Sequence, residues 1–422
     1  METVIRPEIE MKDSGDVYIG KIPLNWRLAS YKYFADSGMG LTILKEDVTD
    51  LGVPIYSATQ DSSIFGYINN PKLKLSKGDL VIPARGTIGC TTYVEDDVAT
   101  CTQTTIYSKV SGINPKFLFY CSIGLKEEWF YYVKTAIPQI TVSQVQNNKV
   151  PLPPLSEQQA VADYLDETCS KIDEIIAEAK ASIDEYKELK QSVIFEAVTK
   201  GLDKNVKMKD SENLVIGKIP NHWVKARVKN VATRITVGVV VTPANYFDDA
   251  GTVAFLRGIN VKEYIINSEP MMYITEETNK ELSKTIVHTN DLVIVRDGAI
   301  GVTAVIPEKY DGANVVSMII VSLGSEYNHD YLCYVLNSYV GKIQFNLTKI
   351  GSALSHTSVS SVSNIEIPKP SINEQIDIVN YLKKQHKKLD SLISEKESLI
   401  NDLEAYKKSL IYEVVTGKRR VV

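Results

Sequence analysis

Two stretches of the chain carry apolar residues at helical spacing. Within residues 152–204, Leu165, Ile172, Ala179, Tyr186 and Val193 recur every seven positions, with Ile175 and Leu189 between them. Near the C-terminus Leu382, Leu389, Leu403 and Leu410 keep the same interval, interleaved with Leu392, Leu399 and Tyr406. Each pattern predicts a long helix with one apolar seam, interrupted at Thr168, Ser182 and Lys396, and such a seam requires a partner helix. Elsewhere the apolar runs are short. "DLVIP", "TTIYSKV", "DLVIV" and "NVVSMIIVSL" lie between Gly, Pro, Asn and Asp punctuation and predict strands. Prolines 151, 153 and 154 stop the first strand region, and Ser156 with Gln159 makes a capping box for the helix that follows. Ser371 and Glu374 supply the corresponding box in front of the second helix, and Gly201 and Gly417 mark the two helix ends.

The same order of signals occurs twice. "MKDSGDVYIGKIPLNW" begins at Met11 and "MKDSENLVIGKIPNHW" at Met208, 197 positions later. "SGMGLT" ends at Thr42 and "VGVVVT" at Thr242; "VPIYSATQ" at 53–60 matches "VAFLRGIN" at 253–260. "GDLVIPARGTIG" and "NDLVIVRDGAIG" follow at an offset of 212, then "VSQVQNNKVPLP" and "VSSVSNIEIPKP" at 217. The drift places 3, 12 and 5 extra residues in the second copy, the largest group between Asn260 and Asp291. Extra length of this kind is tolerated in loops on a rigid frame. The reading is therefore an α+β chain with an internal two-fold repeat. An N-terminal arm (1–16) precedes a β-rich head (17–151) and a helix (152–204). A linker (205–216), a second head (217–368) and a second helix with a basic tail (369–422) follow. About 44 residues at ~1.5 Å each make a helix of roughly 65 Å. Because a globular head separates the two helices, their simplest pairing is antiparallel, with the heads at opposite ends; the alternative packs each helix on its own head.

Composition narrows the class. Of 422 residues, 44% are hydrophobic and 23% charged, as in an ordinary globular protein. Cys90, Cys101, Cys121, Cys169 and Cys333 form an odd, scattered set without a CxxC pair, which suits a reducing cytoplasm and not a disulfide framework or zinc site. No apolar run approaches the ~18 residues that span a bilayer, and the acidic N-terminal stretch lacks a signal peptide's apolar core. The net charge of −5 argues against nucleic acid until it is divided. Residues 17–151 carry 13 basic and 11 acidic residues and 217–370 carry 14 of each, whereas 152–204 carry 6 and 12. The acid excess belongs to a helix, leaving the heads near neutral.

The duplicated "GKIPxxW", the central "GDLVI…G.IG", "PLPPLSEQQAVADYLD" and the closing "QSVIFEAVTKG" resemble the specificity subunit of Type I restriction–modification systems, and the resemblance covers almost the whole chain. It implies that the heads are target-recognition domains, each reading one half of a bipartite double-stranded DNA target. The helices would be spacer regions that set the gap and dock two methylation subunits. Adenine methylation from S-adenosylmethionine, and cleavage by restriction subunits using ATP and Mg, would belong to those partners; this chain itself would bind no cofactor. The alternative is a two-headed protein–protein scaffold without sequence-specific DNA binding.

Residues suited to DNA contact follow from base-edge chemistry. Arg85 and Arg296, beside "GTIG" and "GAIG", can reach phosphate or a guanine edge, although Ala84, not Arg85, aligns with Arg296. Gln60, Gln103 and Asn260 carry amides that match adenine, and Arg257, aligned with Ser57, is specific to the second head. Thr42 and Thr242 are candidates for phosphate contact or turn shaping. Trp26 and Trp223 read as packing residues, and "GKRRVV" as a solvated tail. The chain lacks a phosphate-binding G-x-x-x-x-G-K-[ST] loop, a G-x-S-x-G elbow, an H-E-x-x-H helix and an Asn/Asp-Pro-Pro-aromatic methyltransferase motif, so no catalytic residue is nominated.

Overall fold

The computed structural model describes residues 3–59, 63–125, 129–130, 139–240, 242–348 and 356–421. The chain divides into two compact units, Met1–Lys180 with Glu397–Val422, and Ala181–Lys396. The two long helices, Leu155–Lys200 and Ile372–Val415, are continuous, and each contributes to both units.

In the first unit an antiparallel sheet runs in the order Ala35–Met39, Thr105–Val110, Leu80–Pro83, Thr92–Tyr93. Leu80–Pro83 is buried along its whole length, which explains its unbroken apolar run: both of its faces are covered. A three-stranded sheet of Thr100–Cys101, Val53–Tyr56 and Ile64–Ile68 packs Tyr56 and Cys101 against Leu75, Val81, Val94 and Ala99. The helix Pro115–Gly124 starts at Asn114, whose side chain accepts the Phe117 N–H.

The second unit repeats this plan. Its four-stranded sheet is ordered Ala232–Val237, Met318–Leu323, Leu292–Val295, Thr303–Val305, and its three-stranded sheet Met272–Ile274, Val253–Leu256, Asn314–Val315. Asn328 caps the helix His329–Asn337 as Asn114 caps its counterpart. Much of the extra length after Asn260 forms the hairpin Val261–Lys262/Ile265–Ile266 and the helix Glu276–Glu281.

Segments of the two long helices run antiparallel within each unit. In the first, Lys407 pairs with Asp173 at 2.6 Å, the Trp26 indole N–H donates to Glu157 (2.9 Å), and Gly417 lies against Trp26. In the second, Lys190 pairs with Asp390 at 2.6 Å, the Trp223 indole donates to Glu374 (3.1 Å), and Gly201 lies against Trp223. Both tryptophans are 1% exposed and therefore pack, as their sequence context indicated. Leu165, Ile172, Leu382, Leu389 and Leu410 are buried on the helices, and Tyr186, Leu392 and Leu403 are half-buried. Ile175, Leu189 and Tyr406 depart from the expected seam, at 45%, 49% and 49% exposure; Leu399 does too. Ala179 keeps its expected buried place, and Ile176 and Ile183 are buried in addition, with Ile400 on the other helix. An α-helix turns every 3.6 residues, so a strict seven-residue count drifts around its surface.

Two terminal expectations also change. Ser371 and Glu374 form their capping box, the Ser371 N–H donating to the Glu374 carboxylate (3.2 Å) and the Glu374 N–H to the Ser371 hydroxyl (3.4 Å). Gln159 does not close the box expected with Ser156. The first helix begins at Leu155, and the Gln159 side chain bonds Asn114 and Asp163. The basic tail is not merely solvated: Arg419–Val421 pairs antiparallel with Thr3–Ile5, and Arg6 donates to the Gly417 carbonyl (3.0 Å) and to Glu157 (3.1 Å).

Candidate nucleic-acid interface

At one end of the first unit's four-stranded sheet, three chain segments are tied by main-chain bonds. The strand Ala35–Met39 leaves through Gly40, whose N–H donates to the Thr105 carbonyl (3.0 Å). The Leu41 N–H donates to Cys101 (2.9 Å) and the Gln103 N–H returns to Leu41 (2.7 Å). A side chain at Gly40 would overlap the Thr102 carbonyl, so the approach requires glycine. From the central strand, Ala84 donates to the Thr104 carbonyl (2.9 Å) and accepts the Ile140 N–H (3.0 Å), and Arg85 bridges to Gln139. Thr42, Arg85, Gln103 and Gln139 are thereby exposed together. The Thr42 hydroxyl donates to the Gln103 side-chain oxygen (2.7 Å). Behind them the hydroxyls of Ser57, Thr102 and Thr104 satisfy one another at 2.8 to 3.4 Å.

The second unit makes the same crossing. Gly238 donates to Met318 (2.8 Å), Val239 to Val315 (2.8 Å), Ser317 to Val239 (3.0 Å) and Thr357 to Arg296 (3.1 Å), while Asp297 bridges to His356. A side chain at Gly238 would overlap the Val315 carbonyl. Main-chain position for position, Val240 answers Thr42, Ser317 answers Gln103, Arg296 answers Ala84, Asp297 answers Arg85, and His356 answers Gln139. The one-residue offset between the arginines is thus real.

The nominated residues divide. Thr42, Arg85 and Gln103 come together, and Arg296 lies half-buried at the equivalent place in the second unit. Thr242 is not the counterpart of Thr42; it sits at φ 42° ahead of the short 3₁₀ turn Pro243–Tyr246. Asn260 is fully buried, accepts the Arg257 N–H (3.0 Å) and donates to the Pro270 and Asn267 carbonyls, so its amide has no free edge for a base. Arg257 is half-buried and donates to the Pro270 carbonyl (2.9 Å), holding the same turn. Gln60 lies outside the described residues. Gln139, Asp297, Ser317 and His356 were missed. The 217-residue offset, extended three positions N-terminal of "VSQVQNN", would have paired Gln139 with His356.

The exposed set offers guanidinium, amide, hydroxyl and carboxylate groups, which suit hydrogen-bond recognition of base edges. Among the described residues no three His, Cys, Asp or Glu side chains gather as metal ligands, and no helix is long and apolar enough to cross a membrane. Among the described residues no disulfide joins the five cysteines.

A family model for the Type I restriction modification DNA specificity domain matches residues 23–185 and 223–402. The chain is 25% identical over 370 residues to the type I restriction enzyme MjaVIII specificity subunit of Methanocaldococcus jannaschii, covering 85% of this chain and 83% of that one. It is 22% identical over 293 residues to the EcoBI specificity subunit of Escherichia coli, covering 67% and 60%. Among solved structures, a chain from work on complex assembly and conformational transition of the type I R-M system superposes with a TM-score of 0.74 at 15% identity, covering 94% of this chain and 99% of that one. The HsdS subunit from Thermoanaerobacter tengcongensis gives 0.52 at 15% identity, covering 94% and 98%.

Proposed function

The chain belongs to the Type I restriction modification DNA specificity domain family, and on that premise we propose that each of its units reads one half of a bipartite DNA target. One observation supports this above the others. The two units share the main-chain crossing made by Gly40, Leu41, Gln103 and Ile140 in the first and by Gly238, Val239, Ser317 and Thr357 in the second, yet carry different side chains on it: exposed Thr42, Arg85, Gln103 and Gln139 against exposed Val240 and Asp297 and half-buried Ser317 and His356. A common frame carrying unlike side chains is what two readers of unlike sequences require. A protein–protein scaffold has no comparable need for exposed, unlike charges at one equivalent place, Arg85 in the first unit and Asp297 in the second.

Family membership makes the chain a recognition subunit and not a catalyst. In our reading the continuous helices set the number of base pairs between half-sites, as fixed geometry sets spacing in dimeric DNA readers. They also dock two methylation subunits, since a duplicated surface takes two like partners in equivalent ways. S-adenosylmethionine, ATP and Mg act on the methylation and restriction partners. With near-neutral heads, much of the salt-dependent phosphate attraction comes from the assembled complex. Deleting the gene should abolish one split adenine-methylation motif across the host genome, and inserting whole helical turns into both long helices should lengthen its gap. An unchanged methylation map in a strain that expresses the gene would refute the reading.

A further inference from the structure

The equivalent crossings allow the reading groups to be assigned unit by unit, an inference that rests on the function proposed above. Arg85 and Asp297 occupy one main-chain position in the two units, and each is held by a bridge to an extended segment, Gln139 in the first and His356 in the second. Both are exposed. Among the described residues the Arg85 guanidinium makes no hydrogen bond or ion pair, and Asp297 takes only the Ser317 hydroxyl, at 2.9 Å. Many other head charges are already neutralised nearby, as in Lys116–Glu95 and Lys342–Glu263. A charged group without an internal counter-charge among the described residues, on main chain fixed from both sides, is pre-positioned for an external one.

We infer that Arg85 and Asp297 are specificity-determining residues of the two units, Arg85 taking the O6/N7 edge of a guanine and Asp297 accepting from the amino group of a cytosine. The guanidinium fork matches the two guanine acceptors, whereas a carboxylate is repelled by acceptor edges and phosphate and is matched by the N4 amino group. Gln103, bonded to Thr42 beside Arg85, keeps an amide edge for the neighbouring base pair. In the second unit Ser317 spends its hydroxyl on Asp297 and orients it. The half-site of the first unit therefore contains a guanine, and that of the second a cytosine, on the contacted strand.

The test uses the full chain co-expressed with its methylation subunits, with adenine modification mapped across the host genome and initial rates measured on duplexes carrying single-base changes. R85A should lower methylation of the native motif about 10- to 100-fold and relax one guanine position in one half-site only. D297N should relax a cytosine position in the other half alone. R85K retains the charge and tests the fork: it should lose guanine discrimination while keeping most salt-dependent affinity. Co-purification with the methylation subunits reports assembly, and R85K serves in place of R85A should the alanine variant assemble poorly. An unchanged motif and rate in these variants, or a loss uniform across all sequences, overturns the assignment and leaves the functional reading standing. A wild-type complex that places no split motif overturns both.

Discussion

His386 supplies a pH-dependent measure of how the second head is held to its helix. The imidazole, 8% exposed on the long helix Ile372–Val415, meets Tyr264 and Tyr334 edge-on, at 5.1 Å between ring centres in each case. Tyr264 lies at the tip of the inserted hairpin, at φ 72°, and among the described residues the Nε2 of His386 and the Tyr264 hydroxyl are both buried without a hydrogen-bond partner. Burial, assisted by Lys190 and opposed by Asp390, pushes the His386 pKa from 6.5 down to about 4. The ion pair of Glu263 with Lys342 lies on the neighbouring elements. A histidine depressed on folding favours the neutral form, so its contribution is complete above the unfolded value. It diminishes as pH falls from about 6.5 through about 4, where the unfolded chain takes up the proton first. Over that window, at about 1.4 kcal/mol per pH unit, roughly 3 kcal/mol is at stake. Urea unfolding of wild type and His386→Phe, followed by tryptophan fluorescence between pH 7.5 and 4.5, isolates this group from the carboxylates common to both proteins. The phenylalanine ring keeps the aromatic contacts without a titrating nitrogen. Relative to wild type, the variant should gain about 2 kcal/mol across the range. Parallel pH profiles for the two proteins would refute the reasoning.

Glu374 should behave as a carboxylate version of the same device. Partial burial raises its pKa, but hydrogen bonds from His222, Trp223 and Ser371 outweigh that and hold it at about 2. Its contribution is present above about pH 4.5 and lost as pH falls toward 2, so Glu374→Gln should cost about 1 kcal/mol at pH 7, screening allowed for, and almost nothing at pH 2, measured by chemical denaturation. Gly40→Ala and Gly238→Ala should each cost about 2–4 kcal/mol, because the new methyl must displace a main-chain carbonyl; thermal melts that shift by less than a degree would contradict this. The same glycine variants should impair recognition in one half-site each, read by methylation mapping.

Repeat, helix and strand were legible because each has a local physical signature. A duplicated run of motifs needs no tertiary information, and neither does a seven-residue apolar recurrence. Buried strands such as Leu80–Pro83 and Leu292–Val295 also declare themselves, since cover on both faces demands an uninterrupted apolar run. The glycine pair Gly40 and Gly238 was in plain view, but aligning Thr42 with Thr242 skipped past it. Single-residue register depends on which carbonyl accepts which N–H, and short similar strings do not resolve that.

The amino-acid order alone determined a twice-built α+β chain with two long helices, and where the second copy is longer. It also placed Arg85 and Arg296 one step out of register. Only the folded chain decided which polar groups are available. Asn260 and Arg257 are consumed by the Pro270 turn, Arg419–Val421 by the N-terminal strand, and Ile175 and Leu189 turn outward as the helical period drifts. Whether a side chain is free depends on partners distant in sequence, so although the repeat offset pairs Gln139 with His356, only their bridges to Arg85 and Asp297 place them at the crossing.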